Sequence, residues 1–377
     1  MATVSSLVRH EVKTSFKGVS TVMVMHTPAN SFFQEAKTVE ASDGSACYFP
    51  LDNGRYEVKP GFIPFGSCLG NGEADKQVFQ IDANFAHYRQ VKLTNRAERL
   101  SKYYQTCNYS DGVASALTRS GLPSGIARLI IHRLTQEHPH YFHSQQLANG
   151  DLAFHCQLTG EILYLDANYE LRQVETQGNQ VFPPYASTLD ALAAQVQEDI
   201  TVICRSADGS NWLSAVHLCY PNHWSAEEKV GKDFTTIHAP VAGMDKINRR
   251  ASAIVNTMIV REPMVRFAWG LSTDTRLNHH PEAPANVPIN EWHGRQFDQE
   301  NPRLFLRIER QVIWGLPEYD AALFTIRTYF RDCREVKKDA NLRCKLSSAI
   351  QSMTPDSLTY KGLEESKETI LAWLEEV

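Results

Sequence analysis

The 377-residue chain has no excess of positive charge: 38 Lys and Arg stand against 43 Asp and Glu, a formal net charge of -5. Neutralising nucleic-acid phosphates needs a basic surplus, so nucleic acid is not an expected partner. Long apolar runs are missing too. None approaches the ~20 residues that cross a bilayer, and Met1 to Ser20 lacks the apolar segment of a secretory signal. The eight cysteines are scattered, with no C-x-x-C pair, which argues against a zinc ribbon, an iron–sulfur cluster or a redox dithiol. A reducing, cytoplasmic setting without membrane attachment is the expectation. Gly70-Asn71-Gly72-Glu73-Ala74-Asp75 lacks the last glycine of a dinucleotide turn and no phosphate loop is present, so neither NAD nor ATP binding is expected on this chain. Gly66-Ser67-Cys68-Leu69-Gly70 has the spacing of a nucleophile elbow but not its strand-to-helix setting.

What is present is an ordinary globular composition, 42% hydrophobic and 21% charged, enough to bury a core. The first sixty residues mix polar stretches and turn signals, and predict loops and short strands. Helical character is expected from Asp82 as N-cap, and again over Gly121–Glu137, where Ile126, Leu129, Ile130 and Leu134 recur at helical spacing. Three alternating runs, LAFHCQL, EILYLD and YELRQVE, are separated by turn residues and predict an antiparallel meander. Leu189, Leu192, Val196, Ile200 and Ile203 predict one amphipathic helix from Ser187 to Ile203, with Asp199 beside its apolar stripe. Trp212–Tyr220 reads as a strand. Leu304–Trp314 and Ala321–Phe330 flank GLPEYD and predict a hairpin. Alternation puts Arg307, Glu309 and Gln311 on one face and Ile308, Arg310 and Val312 on the other. The residues after Ser366 predict a packed amphipathic helix.

Two histidine groups invite metal chemistry. His132, His138, His140 and His143 bunch near Pro139, and His279-His280 precedes Pro281; without an acid or cysteine at ligand spacing, both read as solvated chain ends. His238 is different. It follows Ile237 and precedes Ala239-Pro240-Val241, a stretch expected to hold the chain extended, and one ring nitrogen is then open to a metal while the other donates to a carbonyl. His223 is the alternative.

An ordered set of motifs resembles the haem-dependent oxidative N-demethylase family, the haem-carrying subunit of dimethylamine monooxygenase. The set is Val196-Gln197-Glu198-Asp199-Ile200, Tyr220-Pro221 with Trp224, Lys229 and Gly231, Ile237-His238-Ala239-Pro240-Val241, Arg307-Ile308-Glu309-Arg310-Gln311 with Leu316-Pro317, and Phe324-Thr325-Ile326-Arg327. A weaker match runs upstream through Phe79, Asp82, Phe85, Tyr88 and Lys92. The resemblance implies an α/β (α+β) fold with a PAS-like antiparallel sheet core and helical elaborations. It also implies an N-terminal extension over 1–60, a haem-binding catalytic domain over 61–335 and a helical tail over 336–377. It implies haem b, with His238 as iron ligand, and Arg307, Arg310, Arg327, Arg266, Lys229 and Trp224 around the cofactor. Glu309, Asp199 and Trp269 are the expected substrate-side residues. The implied reaction oxidises an N-methyl group of a small secondary amine such as dimethylamine with O2, releasing formaldehyde. Electrons are implied to come from reductase and electron-transfer subunits carrying NADPH, FMN and a [2Fe–2S] centre, in a homo- or hetero-oligomer. A non-catalytic haem or gas sensor, or a ligand-binding module, is the alternative. This chain departs from the family pattern at Ala242, where a second proline is usual, and at Ala268, where asparagine is usual.

Overall fold

The computed structural model describes residues 48–51, 53–107 and 121–376. The expectations for Met1 to Ser20, and for 1–60 as far as residue 47, lie outside the described residues. In chain order the elements are β1 (Ile63–Pro64), α1 (Phe85–Tyr103), β2 (Tyr104–Thr106), α2 (Leu122–Glu137), β3 (Phe142–Gln146), β4 (Leu152–Cys156), β5 (Glu161–Leu165), β6 (Leu171–Thr176), α3 (Thr188–Ala193), β7 (Asp199–Arg205) and β8 (Asn211–His217). Then follow α4 (Ala226–Lys229), α5 (Phe234–His238), α6 (Asp245–Asn248), α7 (Ala251–Val260), β9 (Met264–Ser272), α8 (Ile289–His293), β10 (Phe305–Leu316), β11 (Ala321–Asp332), α9 (Cys333–Lys338), α10 (Ala340–Gln351), α11 (Pro355–Lys361) and α12 (Lys367–Glu375).

The strands form two antiparallel sheets, a seven-stranded one in the order β1-β9-β10-β11-β7-β8-β2 and a four-stranded meander β3-β4-β5-β6. This is a mixed α/β protein with antiparallel sheets, in line with the α+β expectation. The hairpin β10–β11 is the centre of the large sheet, pairing Glu309 with Thr328 and Arg310 with Arg327; β9 lies on its other side, pairing Ala268 with Glu309 and Arg266 with Gln311. Residues paired across antiparallel strands share a face. One face of the large sheet therefore carries Ile308, Val312, Val265, Leu323 and Val202. Towards one end it packs on α2 and the meander through Ile126, Ile130, Phe154 and Leu163. Towards the other, Leu306, Ile308 and Tyr329 meet Leu346, Ile350, Leu371 and Trp373 of the C-terminal helices. The opposite face, through Ile313, Met264 and Phe324, packs on α5 and α7 by Phe234, Val255 and Ile259.

Three local expectations change. The helix from Ser187 to Ile203 stops at Ala193, and Asp199 opens strand β7. Gln195, Gln197 and Glu198, which a surface helix would turn to solvent, are wholly buried and bonded to Glu161, Asp82 and the Gln80 amide. The β-branched run Ile200-Thr201-Val202-Ile203 then suits a strand. The helix expected from Asp82 starts at Phe85, because the Asp82 carboxylate is taken by Arg327, Gln197 and the Asn84 amide. The strand expected to reach Tyr220 ends at His217, since the amides of Cys219 and Tyr220 donate to the Asp199 carboxylate instead of a ladder partner.

Candidate functional site

Between Phe305 and Ile313, Glu309 is the one residue that is not buried. Because β10 has a strand on each side, its exposure comes from the sheet face, and that face is open above Glu309. The Glu309 carboxylate accepts from Asn222 Nδ2 at 3.4 Å and from Gln311 Nε2 at 2.9 Å. Around it, on the same face by register, Gln311 Oε1, Thr328 Oγ1 and Arg266 Nε are buried without a hydrogen-bond partner among the described residues. Polar atoms that a fold leaves unsatisfied together beside an opening mark a place for a ligand or bound water. Ala268, directly opposite Glu309, keeps the space beside the carboxylate small-walled.

Four cations border this cleft. Arg266 neighbours Gln311, and Arg307 lies one step along β10. Lys361, at the end of α11, donates from Nζ to the Trp269 carbonyl at 2.6 Å and stands 4.0 Å from where a Cβ on Gly270 would be, on the cleft face. Arg295 crosses directly over Gly362. Burial holds Arg266 and Arg295 below the usual guanidinium range and brings the Lys361 ammonium down to about 8, with Glu309 working against burial at Arg266 and Lys361. Among the described residues, none of these four cations forms an ion pair with a carboxylate.

His238 ends α5, whose first turn is capped by the Asp233 carboxylate accepting from Thr236 N at 2.6 Å. The stretch is a helical turn rather than extended: the cap starts a helix before Pro240 can hold the chain straight, and Pro240 follows its end. His238 Nδ1 donates to the Phe234 carbonyl at 2.7 Å, which leaves the Nε2 lone pair free. Burial, helped by Arg266 and Lys229, lowers the imidazole to about 4, so the ring is neutral near pH 7. A neutral imidazole with one nitrogen tied to a carbonyl and the other open has the form that metal and haem-iron ligation requires. Lys229 donates to the Ile237 carbonyl at 2.8 Å, and Trp224 packs with Ile237 and Val230 beside it. His223, at φ 63°, stacks on His279 and meets His293 edge-on, each at 5.4 Å, and burial among cations keeps it neutral.

The other sequence candidates stand elsewhere. Arg310 and Arg327 point to the opposite face of the sheet from Arg266 and Glu309, because one residue along a strand reverses the side chain. There Arg310 donates to the carbonyl of Gln77 at 2.9 Å, and Arg327 pairs with Asp82 at 2.8 Å and lies 3.9 Å over the Tyr88 ring. Trp269 also faces that side, opposite Ile308, and packs edge-on against Tyr56 at 5.8 Å; only its backbone carbonyl meets the cleft cations. Asp199 is wholly buried and accepts two backbone amides, and burial lifts its carboxyl to about 7 against the pull of Lys92 and those amides. Arg307 is on the cleft face, but its guanidinium is bound to the carbonyls of Tyr220 at 2.8 Å and Leu277 at 3.1 Å.

The histidine groups do not make metal sites. His138 is buried against the Phe79 carbonyl while His132, His140 and His143 are exposed apart from it. His279 and His280 are buried rather than solvated, His279 Nε2 donating to Asp274 at 3.0 Å. Asp199, His217 and Cys219 converge, all three buried, with Lys92 near enough to act electrostatically on Asp199 and Cys219 while its ammonium donates to the Ala193 and Glu198 carbonyls. Sequence reading missed Asn222, Thr328, Arg295 and Lys361 as cleft residues. Asn222 adjoins a quoted motif; Arg295 and Lys361 come from segments with no motif of their own.

Fold and cleft together define an α/β protein whose central sheet carries a half-open cationic cleft with one acidic residue in it and a neutral, singly anchored imidazole beside it. The family model for haem-dependent oxidative N-demethylase, alpha subunit-like, matches residues 71–371, and the chain belongs to that family. The family's description as an alpha subunit implies a multi-subunit assembly. No helix among the described residues is long and apolar enough to cross a membrane.

Proposed function

We propose that the chain is the haem-carrying catalytic subunit of an amine N-demethylase. His238 would ligate the iron of haem b through Nε2, and Arg266 and Lys229, the cations nearest His238, would meet its propionates. Bound there, haem supplies the activation of O2. The protein's own task is placement. Glu309, its carboxylate fixed by the Asn222 and Gln311 amides, attracts an ammonium group and aligns its N-methyl carbon inside the cleft. The balance is one N-methylamine, one O2, two electrons and two protons giving the demethylated amine, formaldehyde and water. Dimethylamine is the simplest substrate of this kind. Partner subunits with NADPH, FMN and a [2Fe–2S] centre would supply the electrons. The reading includes a PAS-like core over 61–335, a packed tail over 336–377 and a cytoplasmic location.

The observation that carries this reading is the His238 ring, neutral and anchored by Nδ1 with Nε2 free beside the open cleft. The test is an absorption spectrum, oxidised and reduced, with a pyridine haemochrome assay on protein made with ample haem precursor. Near-stoichiometric haem b, lost in His238→Ala and kept in His223→Ala, is expected; a normal Soret band in His238→Ala would move the ligand to His223. Formaldehyde release with amine and an electron donor separates the enzyme from a gas sensor.

A further inference from the structure

We infer that the cleft is built for an N-methylated amine that also carries a carboxylate, a zwitterion of the N-methyl amino acid class, with Arg295 and Lys361 as its carboxylate subsite. The inference rests on the proposed function and deepens it.

Arg266, Arg295 and Lys361 border one carboxylate, Glu309, and Lys229 stands with Arg266 beside His238. Half-buried cations that share a single carboxylate are costly unless a further anion joins them. Two propionates beside His238 would offset Arg266 and Lys229. Arg295 and Lys361 then remain with Glu309 as the one acidic group acting on Lys361. A simple dialkylammonium would satisfy Glu309 but bring more positive charge into a cleft that already has too much. A zwitterion adds none.

Position along the sheet supports the same division. On the cleft face, successive residues of β10 are about 7 Å apart per two-residue step. Lys361 stands against Gly270, which pairs with Arg307; Glu309 is the next step, level with Ala268; Gln311 follows, level with Arg266, and beyond it comes the layer that holds α5 and His238. Glu309 thus lies between the Lys361 end and the His238 end. An amine nitrogen at Glu309 can turn its methyl group one way and a carboxylate the other.

The two cations are held side by side by the backbone. Gly362, at φ 66°, closes α11 in the left-handed conformation, and the Arg295 side chain runs where a Cβ would stand. Any side chain at 362 would push Arg295 off the residue next to Lys361. Among the described residues the Lys361 ammonium has one hydrogen bond, to the neutral Trp269 carbonyl, and otherwise faces the Tyr56 and Tyr360 rings at 5.8 and 5.6 Å, so its remaining donors meet no carboxylate and can turn to an anionic ligand.

The test is calorimetric titration of the haem-loaded full chain, without reductant, using N-methylglycine, N,N-dimethylglycine and dimethylamine as probes. The carboxylated probes are expected to bind at least about tenfold tighter than dimethylamine, the worth of one charge-assisted contact. Lys361→Met and Arg295→Met are each expected to erase most of that preference with haem content unchanged by pyridine haemochrome. Lys361→Gln provides a second variant should Lys361→Met fail to fold, and the wild-type comparison stands without any variant. Equal binding of the probes, or tighter binding of dimethylamine, would overturn the inference while leaving the haem reading intact. Loss of haem in Lys361→Met would also overturn it, by assigning these cations to the propionates. A chain that takes up no haem yet prefers the carboxylated probes would support the subsite and sink the proposed function.

Discussion

Glu309 and Arg310 are adjacent in the chain and opposite in role. One side chain opens into the cleft with two amide donors on its carboxylate; the other is wholly buried on the reverse face, held by backbone carbonyls. Substituting Glu309→Gln keeps the size and removes the charge. Amine binding is expected to fall about 10- to 100-fold, the loss of a charge-assisted contact, with haem content unchanged; calorimetry with an N-methylamine reads it, and an unaltered affinity would remove Glu309 from the site. Gly315 makes a contrasting case that concerns stability alone. A Cβ there would overlap the Ile259 carbonyl of α7, and backbone cannot swing aside as a side chain can. Gly315→Ala is expected to cost about 1–3 kcal/mol in urea denaturation, the range for overpacking a filled interior.

At the scale of elements, the loop between β9 and α8 carries a row of buried histidines that the fold keeps neutral. His280 is 3% exposed, its Nδ1 accepts the Glu282 amide at 3.0 Å, and its carbonyl accepts from Trp292 Nε1 at 2.6 Å. Burial lowers its imidazole to about 4, against about 6.5 in an unfolded chain. Between those values the unfolded state binds the extra proton, so the stability that neutral His280 contributes is complete above about pH 6.5 and is lost as pH falls towards 4. His280→Gln keeps an acceptor and cannot titrate. The gap in denaturation midpoint between wild type and this variant is therefore expected to narrow or reverse from pH 7.5 to pH 5, and a pH-independent gap would count against a buried neutral ring.

For the molecule as a whole, the C-terminal helices are core as well as surroundings of the cleft. Leu363, Ile370, Leu371 and Trp373 pack in one cluster with Ile308 and Tyr329 of the central hairpin, and α11 brings Lys361 to the β9 edge. Deleting residues 355–377 is expected to uncover that cluster and give an aggregated product, as judged by size-exclusion chromatography. A soluble, monodisperse truncation would show the helices to be dispensable. The same arrangement explains why the cleft draws on distant parts of the sequence: the sheet provides Glu309, Gln311 and Arg266, α5 brings His238, and the last quarter of the chain adds Arg295 and Lys361.

Short-range patterns were enough for much of this. Alternation identified the hairpin and three of the four meander strands, missing β3, helical spacing identified α2, and ordered motifs singled out His238 and Glu309, because each of these signals is contained in a few neighbouring residues. The stripe from Leu189 to Ile203 misled for the same reason. Its spacing fits one helix, and only the burial of Gln195, Gln197 and Glu198 against Glu161, Asp82 and Gln80 breaks it into α3 and β7. Alternation likewise separated Arg307 from Arg310 in advance but did not say which face would be open, since that depends on what packs above each side. Tertiary structure decided it: α2, the meander and the C-terminal helices close one face of the large sheet, while on the other the covering is incomplete over Glu309. The pairing of Arg295 with Lys361 depended on tertiary structure alone, because no local pattern relates two cations more than sixty residues apart that meet across a glycine.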